Sequence, residues 1–128
     1  MGMSDYLEEK LLNEVLRNVG YTPAATVYLS LHTADPGDTG AGEVAGGAYA
    51  RQALSFAAAV NPGGTCTTNA DVTFPTATLD WGTITHFGVW DAAAAGNFLL
   101  SGALDLARMV ENGDVFKITS GSLTVQFS

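Results

Sequence analysis

Val27-Tyr28-Leu29-Ser30-Leu31-His32 is the stretch on which the fold turns. Val27, Leu29 and Leu31 alternate with Tyr28, Ser30 and His32, the period of two that sends successive side chains to opposite faces of a strand. The pattern predicts a half-buried β-strand. Similar segments follow it. Tyr49 to Ala57 reads as a second strand with Leu54 and Phe56 on one face, after a long Gly-rich, acidic loop from Asp35 to Gly47. Asn61-Pro62-Gly63-Gly64 is a turn. Cys66 to Phe74 reads as a strand ending at Pro75, and Leu79 to Trp81 and Ile84 to Trp90 as two short strands about Gly82. Beyond the small-residue turn Ala92 to Asn97, the residues Phe98, Leu100, Gly102, Leu104 and Leu106 alternate again. Glu111-Asn112-Gly113-Asp114 is a turn of the Asn-Gly kind. Val115 to Thr119 and Leu123 to Phe127 read as a closing hairpin about Ser120-Gly121.

Towards the N-terminus the period changes. Ser4 is placed to cap a helix, and Asp5, Glu8 and Glu9 fall in its first turn, where the helix dipole favours acids. Leu7, Leu11, Leu12, Val15, Leu16 and Val19 follow at helical spacing as one apolar stripe. Gly20 is the expected stop, with Pro23 just beyond. The fold class is therefore mainly β: a β-sandwich, of which the jelly roll is one form, preceded by one N-terminal amphipathic helix. Residues 1–23 form the helix and linker and residues 24–128 the sandwich, one domain overall.

The composition sets limits on function. Hydrophobic residues make up 47% of the 128 residues and charged residues only 14%, too apolar for disorder and low in charge for a free monomer. A low-charge surface suits life in an assembly. The formal net charge is −8, and the five bases, Lys10, Arg17, Arg51, Arg108 and Lys117, are spread along the chain. Binding to nucleic acid or to an anionic membrane calls for clustered bases, so neither is expected. Cys66 is the only cysteine, which excludes an intrachain disulfide and a cysteine-based zinc site. Ser4 to Asn18 is charged and amphipathic where a secretion signal needs an apolar segment, and no apolar run reaches membrane-spanning length.

No motif nominates chemistry. Gly40-Ala41-Gly42-Glu43-Val44-Ala45 has the letters of a dinucleotide-binding pattern, but that motif works between a strand and a helix, and here a strand follows. His32 and His86 are the only histidines and read as strand residues with satisfied hydrogen bonds. Serine, histidine and aspartate are all available, yet no Gly-x-Ser-x-Gly elbow marks a nucleophile. A zinc site would need His32, His86 and a carboxylate to converge, and no ligand spacing supports one. Asp35, Asp38 and Glu43 offer oxygen ligands without the twelve-residue calcium-loop pattern, and read as a solvated acidic loop. Trp81 and Trp90 read as core or interface anchors, with a sugar platform as the alternative. No catalytic residue, cofactor or metal is assigned. The candidate interface residues are Leu7, Leu11, Val15 and Val19, since a short isolated helix is marginal and its apolar face needs a cover.

The stretches Tyr6 to Leu12 and Tyr21-Thr22-Pro23-Ala24-Ala25-Thr26-Val27-Tyr28-Leu29-Ser30-Leu31-His32-Thr33-Ala34-Asp35-Pro36 resemble the start of small tailed-phage proteins described as tail-fibre-like. The resemblance continues through Gly46 to Gln52, Asn69 to Pro75, Trp81 to Gly88 and Gly96 to Leu104, and so spans nearly the whole chain. In that family Phe typically stands where this chain has His32. The resemblance implies a non-enzymatic structural protein of a tailed-phage virion, assembled in the bacterial host cytoplasm. The leading expectation is an exterior accessory protein of the capsid decoration or cement type. The alternative is a tail-fibre-like or collar component that binds host surface glycan. The expected partners are other virion proteins, either the major capsid protein or tail proteins, and further copies of the chain, with a trimer favoured.

Overall fold

The computed structural model describes residues 2–126. In chain order the elements are β1 (Gly2–Met3), α1 (Asp5–Arg17), β2 (Val27–His32), β3 (Gln52–Leu54), β4 (Thr65–Thr67), β5 (Val72–Thr73), β6 (Gly82–Trp90), β7 (Phe98–Val110), β8 (Lys117–Ile118) and β9 (Thr124–Gln126). The chain is mainly β, with antiparallel sheets and one short N-terminal helix.

The larger sheet has the order β1-β7-β6-β2-β3. Two short ladders, β4-β9 and β5-β8, complete the sandwich. Each ladder continues one step beyond its named strands, β4-β9 by Thr68 N–H to the Leu123 carbonyl and β5-β8 by Phe74 N–H to the Phe116 carbonyl, both 2.9 Å. Leu29, Leu31, Phe87, Val89 and Leu100 from the larger sheet join Val72, Phe74, Phe116 and Leu123 in one core. Burying each such side chain contributes about 1.5–3 kcal/mol.

The helix begins where the sequence says. Ser4 accepts the Leu7 N–H at 3.2 Å, donates its own hydroxyl to the Phe98 carbonyl at 2.6 Å, and sends its N–H to the Leu99 carbonyl at 2.8 Å. One buried serine thus caps α1 and fastens it to β7. The helix ends earlier than Gly20. Asn18 adopts the left-handed conformation at φ 55°, and the Val19 N–H closes on the Asn13 carbonyl at 3.1 Å.

Five expectations change. Val115 to Thr119 and Leu123 to Phe127 do not pair as a hairpin: β8 pairs with β5 and β9 with β4, so each arm completes a separate ladder. Phe127 lies outside the described residues. Cys66 to Phe74 is broken into β4 and β5, and Leu79 to Trp81 is not a strand; β6 starts at Gly82. The alternation from Phe98 to Leu106 does not hold one face. In the β6–β7 register Ile84 partners Arg108 and His86 partners Ala103, so Leu104 to Ala107 bulge opposite Thr85 alone. A bulge re-aims side chains, and Leu106 becomes 76% exposed. Finally, β2 is not half-buried. Both its faces are covered: Leu29 and Leu31 by the core, Ser30 and His32 by the loop that leads to β3, and all four are 0% exposed.

Gly88 makes that second packing possible. It lies opposite both Ser30 and Ser101 in the sheet. A Cβ there would fall 2.5 Å from Ser30 Oγ, 2.8 Å from His32 Nε2 and 2.8 Å from the Phe98 ring. Gly88→Ala is therefore expected to lose about 2–3 kcal/mol in urea unfolding, as overpacking does. Gly20→Ala, whose Cβ would meet nothing within 4 Å, should stay within about 0.5 kcal/mol of the parent.

Candidate interaction surface

Two kinds of surface result from this fold: a polar face that the chain covers itself, and apolar ground that it leaves open. The covered face carries the residues that resemble chemistry. Ser30 Oγ lies 2.6 Å from His32 Nε2 and accepts the Trp90 indole N–H at 2.9 Å. His32 Nδ1 is 2.8 Å from the Ala41 carbonyl, an acceptor only, so the ring carries its proton there and accepts from Ser30 through Nε2. The pair has the reach of a nucleophile and base, but both side chains are fully buried, which puts them out of reach of a substrate. Burial also lowers the His32 pKa from its ordinary 6.5, outweighing the Ala41 hydrogen bond and the Glu43 charge.

Arg51 closes the same face. Its guanidinium donates to both Glu43 oxygens at 2.9 Å and to the carbonyls of Ala92 and Ala95 at 3.0 and 2.8 Å. It also stacks 3.7 Å over the Trp90 ring. Tyr49 donates its hydroxyl to Glu43 at 2.6 Å and accepts the Leu31 N–H at 3.1 Å. Burial, followed by the bond to Glu43, pushes the Tyr49 pKa well above its ordinary value. For Glu43, burial acts to raise the pKa, but the bonds from Arg51 and Tyr49 prevail and hold it below the usual carboxylate value. The carboxylate expected as part of a solvated loop is thus an internal anchor. Gly40, at φ +78°, fits because a Cβ would lie 2.4 Å from the Trp90 ring. The glycine pattern serves indole packing.

Trp81 and Trp90 are both buried, and Trp81 donates its indole N–H to the Gly47 carbonyl at 2.9 Å. They act as core anchors, and the sugar-platform alternative is set aside. His86 faces His32 across β2 and β6, with its Nδ1 2.8 Å from Thr85 Oγ1. Among the described residues, no group of three metal-ligating side chains converges. Cys66 is half-buried beside an apolar pocket of about 220 Å³ with Val27, Phe56 and Val125.

The open apolar ground lies in two places. On α1 the stripe divides. Leu7 is in the chain's own core and Leu11 packs half-buried against it, whereas Leu12, Val15, Leu16 and Val19 are 58%, 77%, 74% and 46% exposed. Of the four candidate interface residues, the fold thus brings two inward and leaves two on the surface. Leu12 and Leu16 complete the exposed set. The second place is a groove of about 680 Å³ between the β7 bulge and the β8–β9 segment. Phe87, Phe116, Leu104, Leu106, Ile118 and Leu123 line it, together with Arg108, Lys117 and Asp105. Sequence reading missed this groove because its walls come from segments far apart in the chain. It also passed over Arg51, although one signal was present: Arg51 is the only base between Arg17 and Arg108.

Taken together, this is a β-sandwich whose polar clusters are internal and whose open surface carries aliphatic side chains, the features of a structural or interaction domain. The chain matches the family model Gp80, described as podophage GP4 fiber I protein gp80, over residues 2–126, and it belongs to that family. No curated protein matches it. The family is one of phage fibre proteins, which agrees with the resemblance to tail-fibre-like proteins. It supports the tail-fibre-like alternative better than the capsid decoration or cement expectation.

The internal anchors give a pH dependence of defined sign. Glu43 is held below its ordinary 4.5, so its contribution is complete above that value and is lost as the pH falls through the lower folded value. His32 is held neutral below its ordinary 6.5, so its contribution is complete above pH 6.5 and declines as the unfolded chain takes up a proton. Urea unfolding from pH 7.5 to 4 should show falling stability. Glu43→Gln is expected to cost about 3 kcal/mol at pH 7, because it leaves Arg51 buried without its charge partner. His32→Phe should flatten the curve just below pH 6.5, and an unchanged slope there would assign the loss to other groups.

Proposed function

We propose that this chain is a non-enzymatic structural component of the fibre apparatus of a tailed phage. In this reading it acts in the virion as a homo-oligomer held to other tail proteins by buried apolar area. The observation that carries the proposal is the family match across residues 2–126. The surface supports it: Leu12, Val15 and Leu16 lie exposed along one side of α1, with Val19 exposed just past its end, an arrangement that a covering neighbour would stabilise. Several modest contacts made together give an avidity that none has alone. No aromatic ring among the described residues is fully exposed, so the surface suits assembly better than stacking on a glycan. The five bases also suit protein partners better than nucleic acid, since Arg51 is buried against Glu43 and Lys117 lies 3.4 Å from Asp71.

Antibody labelling of purified virions by electron microscopy tests the location. Label at the tail or its fibres is the expected outcome. Label distributed over the capsid lattice would restore the decoration reading, and absence of the chain from washed virions would remove the virion role altogether.

A further inference from the structure

We propose that copies of this chain associate head to tail, the exposed stripe of α1 in one copy docking into the β7–β8–β9 groove of the next. The inference rests on the homo-oligomeric reading above and specifies which surfaces meet.

The two surfaces complement one another. The stripe on α1 is Leu12, Val15 and Leu16, all aliphatic, at the i, i+3, i+4 spacing that fills a groove, and Val19 lies exposed just beyond the end of the helix. Glu8 and Glu9 lie one turn earlier on the same side, four and three residues before Leu12. The helix's own bases are turned to other partners: Lys10 lies over the Tyr6 ring at 5.5 Å, and Arg17 donates to Asn13 at 3.2 Å. The stripe is therefore an aliphatic ridge with an acidic end. The groove has the reverse character. Leu104, Leu106, Ile118 and Leu123 line it with aliphatic groups, and its charge comes from Arg108, which makes no ion pair among the described residues, whereas Lys117 lies 3.4 Å from Asp71. Arg108 is one of only five Lys and Arg residues in a chain of net charge −8, so it finds its complement on an acidic copy of the chain itself. Size also fits, because a cavity of about 150 Å³ accepts a benzene and this groove of about 680 Å³ therefore takes several aliphatic side chains.

The stripe and the groove are different patches, and no residue of α1 lines the groove. A contact between unlike patches is heterologous. Made once between each pair of copies, it closes into a ring of three or more copies or runs on as a filament; made twice, reciprocally, it would close as a two-fold dimer, so rings or filaments are what head-to-tail docking predicts.

The test uses the full chain and two variants made at exposed positions: Val15→Asp with Leu16→Asp on the ridge, and Leu106→Asp in the groove. Both should keep the parent's β spectrum and melting temperature. Serine in place of aspartate at the same positions is the milder version if either does not. By analytical ultracentrifugation the parent should form oligomers of three or more copies, and each variant alone should be monomeric. Mixed one to one, the variants should form dimers, since each retains the face that the other lacks. Glu8→Lys with Glu9→Lys should weaken assembly roughly tenfold, and Arg108→Glu on the same chain should restore it. The proposal is overturned if the parent stays monomeric up to about 1 mM, if it forms a two-fold dimer, or if Leu106→Asp assembles like the parent. A monomeric parent would also remove the homo-oligomeric part of the reading above, whereas a two-fold dimer or an assembling Leu106→Asp would overturn the docking alone, and the virion location is tested separately by the antibody label.

Discussion

The structure depends on one guanidinium. Arg51 holds Glu43, grips two carbonyls of the β6–β7 turn at Ala92 and Ala95, and lies flat on Trp90. Three segments distant in sequence meet on it: the acidic loop after β2, the approach to β3, and the turn that joins the two longest strands. Its planar fork makes this possible, since lysine offers a point charge and could not satisfy a carboxylate and two carbonyls while stacking on an indole. A buried ion pair does not by itself favour folding, because desolvation offsets the attraction. Its effect is on position. With Glu43 fixed, Tyr49 reaches the Leu31 N–H and the His32–Ala41 bond forms, so the loop is pinned over the polar face of β2.

That pinning explains what remains at the surface. A sandwich normally buries one face of each sheet; this one has the inner face of β2 in the core and its outer face under the loop. The core therefore needs nothing from the C-terminal half of α1 and only Leu104 from the β7 bulge. Leu7 and Leu11 suffice to seat the helix, helped by Ser4, and the four aliphatic residues beyond them have no partner to cover them within the chain. The low proportion of charged residues reads the same way. At 14% charged, the surface has little to mask such ground and much to gain from a neighbour.

The N-terminal helix, its serine cap and the strand character of Val27 to His32 were legible in the sequence because each is a local pattern of period and cap. So was the family relationship, carried by the order of short pieces along the chain. The covered outer face of β2 was not legible. Ser30 and His32 look like solvent-facing alternates until Trp90 and Ala41 arrive from elsewhere to satisfy them. Nor was the separate fate of β8 and β9, since turn chemistry at Ser120-Gly121 says where the chain reverses and not which strand each arm joins. The helix stripe shows the same limit: periodicity gave the face, but Leu11 and Leu12, adjacent in sequence, differ in whether the chain's own sheet reaches them. The groove needed the bulge at Leu104 to Ala107, which a run of alternating residues conceals.

The bulge also decides the style of assembly open to the chain. β1 and Ser4 together cover β7 only from Phe98 to Ser101, so the remainder of that 13-residue strand is a sheet edge. A long flat edge invites indiscriminate pairing with other strands. By opposing Leu104 to Ala107 to one residue of β6, the chain bends that edge out of register and removes it as a template. The same distortion turns Leu106 outward, onto the wall of the groove. One local irregularity thus discourages association through the backbone, which is indifferent to sequence, and favours association through side chains, which is not. Such an exchange permits association at chosen surfaces without aggregation at the rest.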